Sequence, residues 1–214
     1  MSHELERRIF MRRGVTIVLV LMLLLVPTSA FANTNDGGII LHSYDEGYYR
    51  TLAVPCFQQE NDYYCGPATV KQVVHYLNGS SQSQSYYANK IGTTTAGSEM
   101  PRICNFVKTE TGKNYEYMDI QNYANWAGKI QANTAAGIPV ILDIKANAGS
   151  GWPYTISRGH YINTSGFDSR RGGGVKVRVT DPCASGLGNR WYDGQVVFSV
   201  NNNHFRHAMI CVNY

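Results

Sequence analysis

The chain has 214 residues and a net charge of +4, from 19 Lys and Arg against 15 Asp and Glu. That charge is modest and no basic stripe stands out, so the composition does not indicate a nucleic-acid partner. The length suits one domain with a sizeable core.

The first element in chain order is a targeting segment. Arg7, Arg8, Arg12 and Arg13 precede the uncharged stretch VTIVLVLMLLLV (15–26), and TSAFA follows with Ala30 and Ala32 at the small positions of an A-x-A cleavage site. This order reads as a secretory signal peptide over 1–32. Its apolar run is short of the roughly 20 residues that a spanning helix needs. The domain is then expected over 33–214, secreted to the extracellular space or cell envelope, with no stable membrane insertion after cleavage. Losing four Arg and two Glu with the leader lowers the net charge to +2.

Export permits disulfides. The five cysteines, Cys56, Cys65, Cys104, Cys183 and Cys211, are odd in number, so a monomer keeps at least one thiol. An unpaired cysteine in an exported chain is a candidate reactive group. If Cys65 is the free one, the other four allow three pairings. No C-x-x-C spacing occurs, which argues against a zinc ribbon or a thioredoxin-type motif.

The first helix is the best marked. Val70, Val73, Val74 and Leu77 fall on one face of a 3.6-residue period. Pro67 fixes its start, because proline is tolerated only in the first turn, and Gly79 is its stop. Cys65 therefore sits at the N-terminal lip. Further helices are expected over Ser85–Ile91, over Glu99–Thr109 with Ile103, Phe106 and Val107 inward, and over Asn122–Ala135 with Trp126 and Ile130 on one face. PVILDIKA (139–146) has a buried-strand pattern. HYINTSGF (160–167) and VKVRVTD (175–181) alternate as strands, and DSRRGGG (168–174) joins them with hairpin turn chemistry. MICVNY is expected to be a last strand. Helices followed by an antiparallel sheet make an α+β domain.

The chemistry gathers around Cys65. A thiolate is the nucleophilic form of cysteine, and the unpaired N–H groups and dipole of a helix N-terminus favour negative charge there. A neighbouring histidine adds a base that passes the proton to the leaving group. His160 opens a strand, and Asp181 ends the next one. In a 160–181 hairpin the two are expected to be cross-strand neighbours within hydrogen-bond reach, which would hold the ring's tautomer. Gln59 lies six residues before Cys65. Its amide, with the Cys65 backbone N–H, would stabilise an oxyanion. Gln58 is the neighbouring alternative, and the spacing favours Gln59.

Gln59, YYCGPATV opening a helix, GHYINTSGFD and VTDP, in that order, resemble the C39-like cysteine peptidases, a branch of the papain-like fold. The resemblance implies Cys65 as nucleophile, His160 as general base and acid, Asp181 as its orienter and Gln59 as oxyanion donor. It also implies a papain-like α+β architecture in which N-terminal helices pack on a C-terminal antiparallel sheet. Tyr64 stands where the bacteriocin-processing members usually carry an acid, and this chain has no fused transporter, so a free-standing exported enzyme fits better than leader processing.

The expected protein is a monomeric cysteine peptidase acting on a peptide or protein, with no metal or organic cofactor implied. The same Cys–His chemistry would also serve a peptidoglycan amidase or endopeptidase, or a transferase with an amine acceptor. A catalytically inactive papain-fold binding module is the reading from another class. His75 lies nearly three helical turns past Cys65 and is read as structural. His204 and His207 are spaced i, i+3 but lack a neighbouring Cys or acid for a metal site. Asn78 and Asn163 match the glycosylation sequon.

Overall fold

The computed structural model describes residues 44–170 and 174–214. The signal peptide expected over 1–32, the stretch to residue 43 and the centre of the 168–174 turn lie outside the described residues. The helices are α1 (Cys65–Asn78), α2 (Gln84–Ile91), α3 (Met100–Thr111), α4 (Tyr123–Ala135) and α5 (Gly194–Asn202). The strands are β1 (Tyr49–Thr51), β2 (Tyr115–Asp119), β3 (Val140–Ala146), β4 (Ile156–Asp168), β5 (Lys176–Asp181), β6 (Gly188–Asp193) and β7 (Ala208–Val212). They form one sheet in the order β2-β7-β3-β4-β5-β6, with β1 added against β4. Every pairing is antiparallel. No helix among the described residues is long and apolar enough to cross a membrane.

The helix ends follow local chemistry. Gly79 adopts the left-handed conformation with φ 76° and returns its N–H to the His75 carbonyl, closing α1. The Ser83 hydroxyl accepts the Tyr86 N–H and the Asn122 side chain accepts the Asn125 N–H, so each occupies an orphan donor at its helix start.

β3 shows how the sheet is buried. Val140, Leu142, Ile144 and Ala146 pack with Trp126 and Ile130 of α4 and Val197 and Val200 of α5. Ile141 points the other way, among Val70, Val73 and Val74 of α1 and Ile103 and Val107 of α3. A sheet covered on both faces reads as an unbroken apolar run, which is why 139–146 lacks alternation in sequence. Trp126 anchors the α4 layer, fully buried, with its indole N–H on Asn201 Oδ1 at 3.0 Å. Removing such a ring costs about 3–5 kcal/mol.

Two buried hydrogen bonds fix α1 on β4. Thr69 Oγ1 donates to the Tyr161 carbonyl at 3.0 Å, and Asn163 Nδ2 donates to Gln72 Oε1 at 2.7 Å. Asn163 is therefore a buried structural amide, despite its sequon. Gly66 lies so close to Ser98 that a Cβ would overlap the serine hydroxyl. These contacts set the distance between the start of α1 and the middle of β4.

β1, β2, β6 and α5 were not expected from the sequence. β6 is half exposed throughout and lacks alternation. α5 lies between β6 and β7 in the chain and shares the α4 face, so the helices cover both sides of the sheet.

Candidate active site

Cys65 is the first residue of α1. The preceding Tyr64 makes no side-chain cap, and the first turn contains no acid. The first intrahelical bond runs from Ala68 N–H to the Tyr64 carbonyl. The Cys65 and Gly66 N–H groups thus have no intrahelical acceptor, and Pro67 has no N–H to offer. The partly exposed Cys65 thiol stands at an open, positively polarised helix end.

His160 meets Asp181 as the hairpin expectation required, but not by direct pairing. The β4–β5 ladder matches Asn163 with Thr180 and Thr164 with Val179. Continued one step, it sets Ile162 opposite Asp181, so His160 lies diagonally across. Diagonal positions on one face remain within reach of long side chains. His160 Nε2 is 2.8 Å from Asp181 Oδ1, and both side chains are buried. Asp181 is held in turn: Tyr154 Oη donates to Oδ2 at 2.6 Å and the Cys183 N–H donates to Oδ1 at 2.8 Å.

With Nε2 engaged by Asp181, His160 Nδ1 is left for Cys65. Burial disfavours the imidazolium, but hydrogen bonds to Asp181 and Cys65, and the negative charge of each, outweigh burial and raise the His160 pKa to about 10. The ring thus bridges Asp181 and Cys65.

Gln59 is tied to the same corner. Its backbone N–H donates to the Pro182 carbonyl at 2.9 Å, one residue past Asp181. Its side-chain Nε2 donates to the Asn61 carbonyl at 2.7 Å, while Oε1 is buried without a partner. An amide nitrogen carries two hydrogens, so one N–H remains. Gln58 is exposed, and its carbonyl accepts from Gln84 Nε2. Cys56 Sγ donates to the Asp181 carbonyl at 3.3 Å and further ties this segment to the end of β5.

Tyr154 and Gly186 escaped the sequence reading. Gly186 is needed because a Cβ there would overlap Asp181 Oδ2 and the Tyr154 ring. Both lie in irregular segments, where no periodicity marks them. His75 is apart from this cluster, with Nδ1 on Ser81 Oγ at 3.0 Å and Phe57 edge-on. His204 does have an acidic neighbour, one remote in sequence: Asp143 Oδ2 lies 3.6 Å from its Nε2, and Arg206 pairs with the same carboxylate. All five cysteines are free thiols, with Cys104 and Cys211 in the core.

The model of the Peptidase_C39 like family matches residues 51–208, most of the chain. No curated protein matches it in sequence. Among solved structures, the peptidase domain of Streptococcus ComA, a bifunctional ABC transporter of a quorum-sensing pathway, is similar over 75% of this chain and 99% of its own, with 16% identity and a TM-score of 0.50. Xylellain, a cysteine protease from Xylella fastidiosa, is similar over 80% of this chain and 91% of its own, with 12% identity and a TM-score of 0.52. At such identities the likeness is one of fold, and that fold is the papain-like α+β architecture.

Proposed function

The chain belongs to the Peptidase_C39 like family and is a cysteine-type peptidase, and from that premise we propose that Cys65, His160, Asp181 and Gln59 carry out its hydrolysis of peptide bonds outside the cytoplasm. The observation that carries this reading is the buried His160–Asp181 pair beside the open N-terminus of α1.

In the proposed cycle the Cys65 thiolate attacks the scissile carbonyl carbon, and the carbonyl π pair moves to oxygen. The Cys65 backbone N–H and the free Gln59 amide N–H stabilise that oxyanion. As the intermediate collapses, the C–N bond breaks and His160 Nδ1 protonates the leaving amine. A thioester remains on Cys65. Neutral His160 then takes a proton from water, which attacks the thioester and releases the acid, and the proton returns the site to its ion pair. Asp181 accepts from His160 Nε2 throughout, and Tyr154 keeps the carboxylate from rotating. Export is supported by the order of Arg7–Arg13, the apolar run and Ala30–Ala32.

The test is alkylation of Cys65 by iodoacetamide against pH, with peptide hydrolysis measured on the same samples. Wild type should alkylate fast below pH 7. His160→Ala should need alkaline pH, and Cys65→Ala should abolish turnover. A Cys65 indifferent to His160 would instead assign the fold to the inactive binding module.

A further inference from the structure

We infer that Arg206, on the turn between α5 and β7, is a specificity residue selecting peptides with an acidic side chain within a few residues of the scissile bond. The inference rests on the peptidase reading above and names its substrate class.

The turn borders the reacting groups. Gly159 immediately precedes His160, with φ 116°, and a Cβ built there would lie 2.9 Å from His204 Nε2 and 3.3 Å from Asp143 Oδ1. The backbone entering His160 thus runs directly over the His204–Asp143 pair. From the other side, the Tyr161 phenol lies within electrostatic reach of Cys65, Asp143 and Arg206 together.

Arg206 is built to receive an anion. Its Nη1 pairs with Asp143 Oδ2, and its guanidinium carbon sits 4.5 Å from the centre of the Phe205 ring. Two fixed contacts orient the planar fork before a ligand arrives, so little side-chain entropy remains to be lost. Its side chain is 27% exposed. A guanidinium has five N–H donors, and Asp143 takes one through Nη1. Phe205 is 74% exposed and lends an apolar edge to a passing peptide.

The local charge balance is positive. Asp143 is the acid of this cluster, it is buried, and Arg206 neutralises it. Burial and, after it, the positive charges of Arg206 and Lys145 hold the His204 pKa down at about 4. Arg158 is exposed two residues before His160. A carboxylate side chain is the substrate group that such a flank attracts, and a lysine is the one it repels.

The full chain would be given a peptide mixture varying Glu, Gln and Lys at each position around the cut, with products read by mass spectrometry. One position should favour Glu over Gln by about tenfold or more, in line with a charge-assisted contact. Arg206→Glu should invert that preference toward Lys, and Arg206→Lys should retain it in weakened form. In wild type alone, raising salt from about 0.05 to about 0.5 M should shrink the preference, a readout independent of whether the variants fold. Cleavage by wild type with no acidic preference, or a preference unmoved by Arg206→Glu, overturns the inference. Iodoacetamide labelling of Cys65 on the same sample separates the two levels, because an unreactive Cys65 with no cleavage overturns the peptidase reading and this inference with it.

Discussion

His160 Nε2 and Asp181 Oδ1 lie 2.8 Å apart across the β4–β5 hairpin, with side chains 8% and 1% exposed. Burying an imidazolium is unfavourable by itself, so the pair persists because each charge supplies the other's solvation. The partnership leaves a signature in the pH dependence of stability. Against burial, the hydrogen bonds and charges of Asp181 and Cys65 lift the His160 pKa to about 10. A histidine raised in the folded state stabilises fully below its ordinary value of about 6.5, and that contribution disappears as pH rises through the folded value. The stability advantage of wild type over His160→Gln should therefore be largest near pH 6 and shrink steadily toward pH 10. Thermal unfolding of both proteins across this range is the check, and a gap that widens with pH would mean the ring is neutral in the fold.

Tyr154 offers a separate handle on Asp181. Its hydroxyl donates to Oδ2 at 2.6 Å, a short bond to a charged acceptor. Such bonds contribute about 1.5–3 kcal/mol. Tyr154→Phe keeps the ring packed near Trp152 and removes only the donor. Stability in urea should fall by roughly that amount. Peptidase kcat should drop while KM stays close to wild type, because the carboxylate that aligns His160 loses one of its restraints. An unchanged kcat would confine Tyr154 to a packing role.

Residues near Cys65 in sequence were legible, and residues brought in by the fold were not. Val70, Val73 and Val74 announce α1 because a helix repeats its buried face every 3.6 residues, and Pro67 and Gly79 mark its ends by backbone chemistry alone. The His160–Asp181 relation was legible because a hairpin is a local structure. Its diagonal register was not, since the irregularity between Thr164 and Gly166 shifts the ladder without a sequence mark. β6 and α5 were missed because β6 is an edge strand without alternation, and Asp193 caps α5 from inside a run that reads as loop. Asp143 sits inside the apolar run 139–146, where no local pattern marks a partner for it. Its partners His204 and Arg206 come from the far end of the chain, a coincidence that only the sheet order produces.

Gln59 allows the proposed oxyanion contact to be tested apart from the reactivity of Cys65. Its buried Oε1 has no partner and its Nε2 has one. That arrangement leaves an N–H for a developing oxyanion without a strong ground-state contact to lose. Gln59→Ala should lower kcat by about 10²–10³. Iodoacetamide reacts with Cys65 by direct displacement and forms no oxyanion, so alkylation of the variant should follow the wild-type pH profile. Equal losses in both reactions would mean that Gln59 shapes the Cys65 pocket rather than the transition state.

Asp143 should show that the basic flank is kept at a cost in stability. The residue is 1% exposed, and burial, only partly offset by Arg206, pushes its pKa up to about 6. An acid raised in the folded state binds a proton there that the unfolded chain releases near pH 4. The folded state is therefore penalised progressively as pH rises from about 4 to about 6, and the penalty is complete above that window. Asn has the same shape and no charge. Asp143→Asn should match wild type near pH 4 and be the more stable protein at pH 8, by on the order of 3 kcal/mol. The same substitution releases Arg206 from its ion pair, so selectivity for acidic peptides should weaken as stability rises. Unfolding curves at the two pH values and a Glu-to-Gln substrate ratio measure both sides. A variant less stable at pH 8 would show that the Arg206 pair more than repays the burial of Asp143, and the carboxylate would then be a structural anchor of the turn.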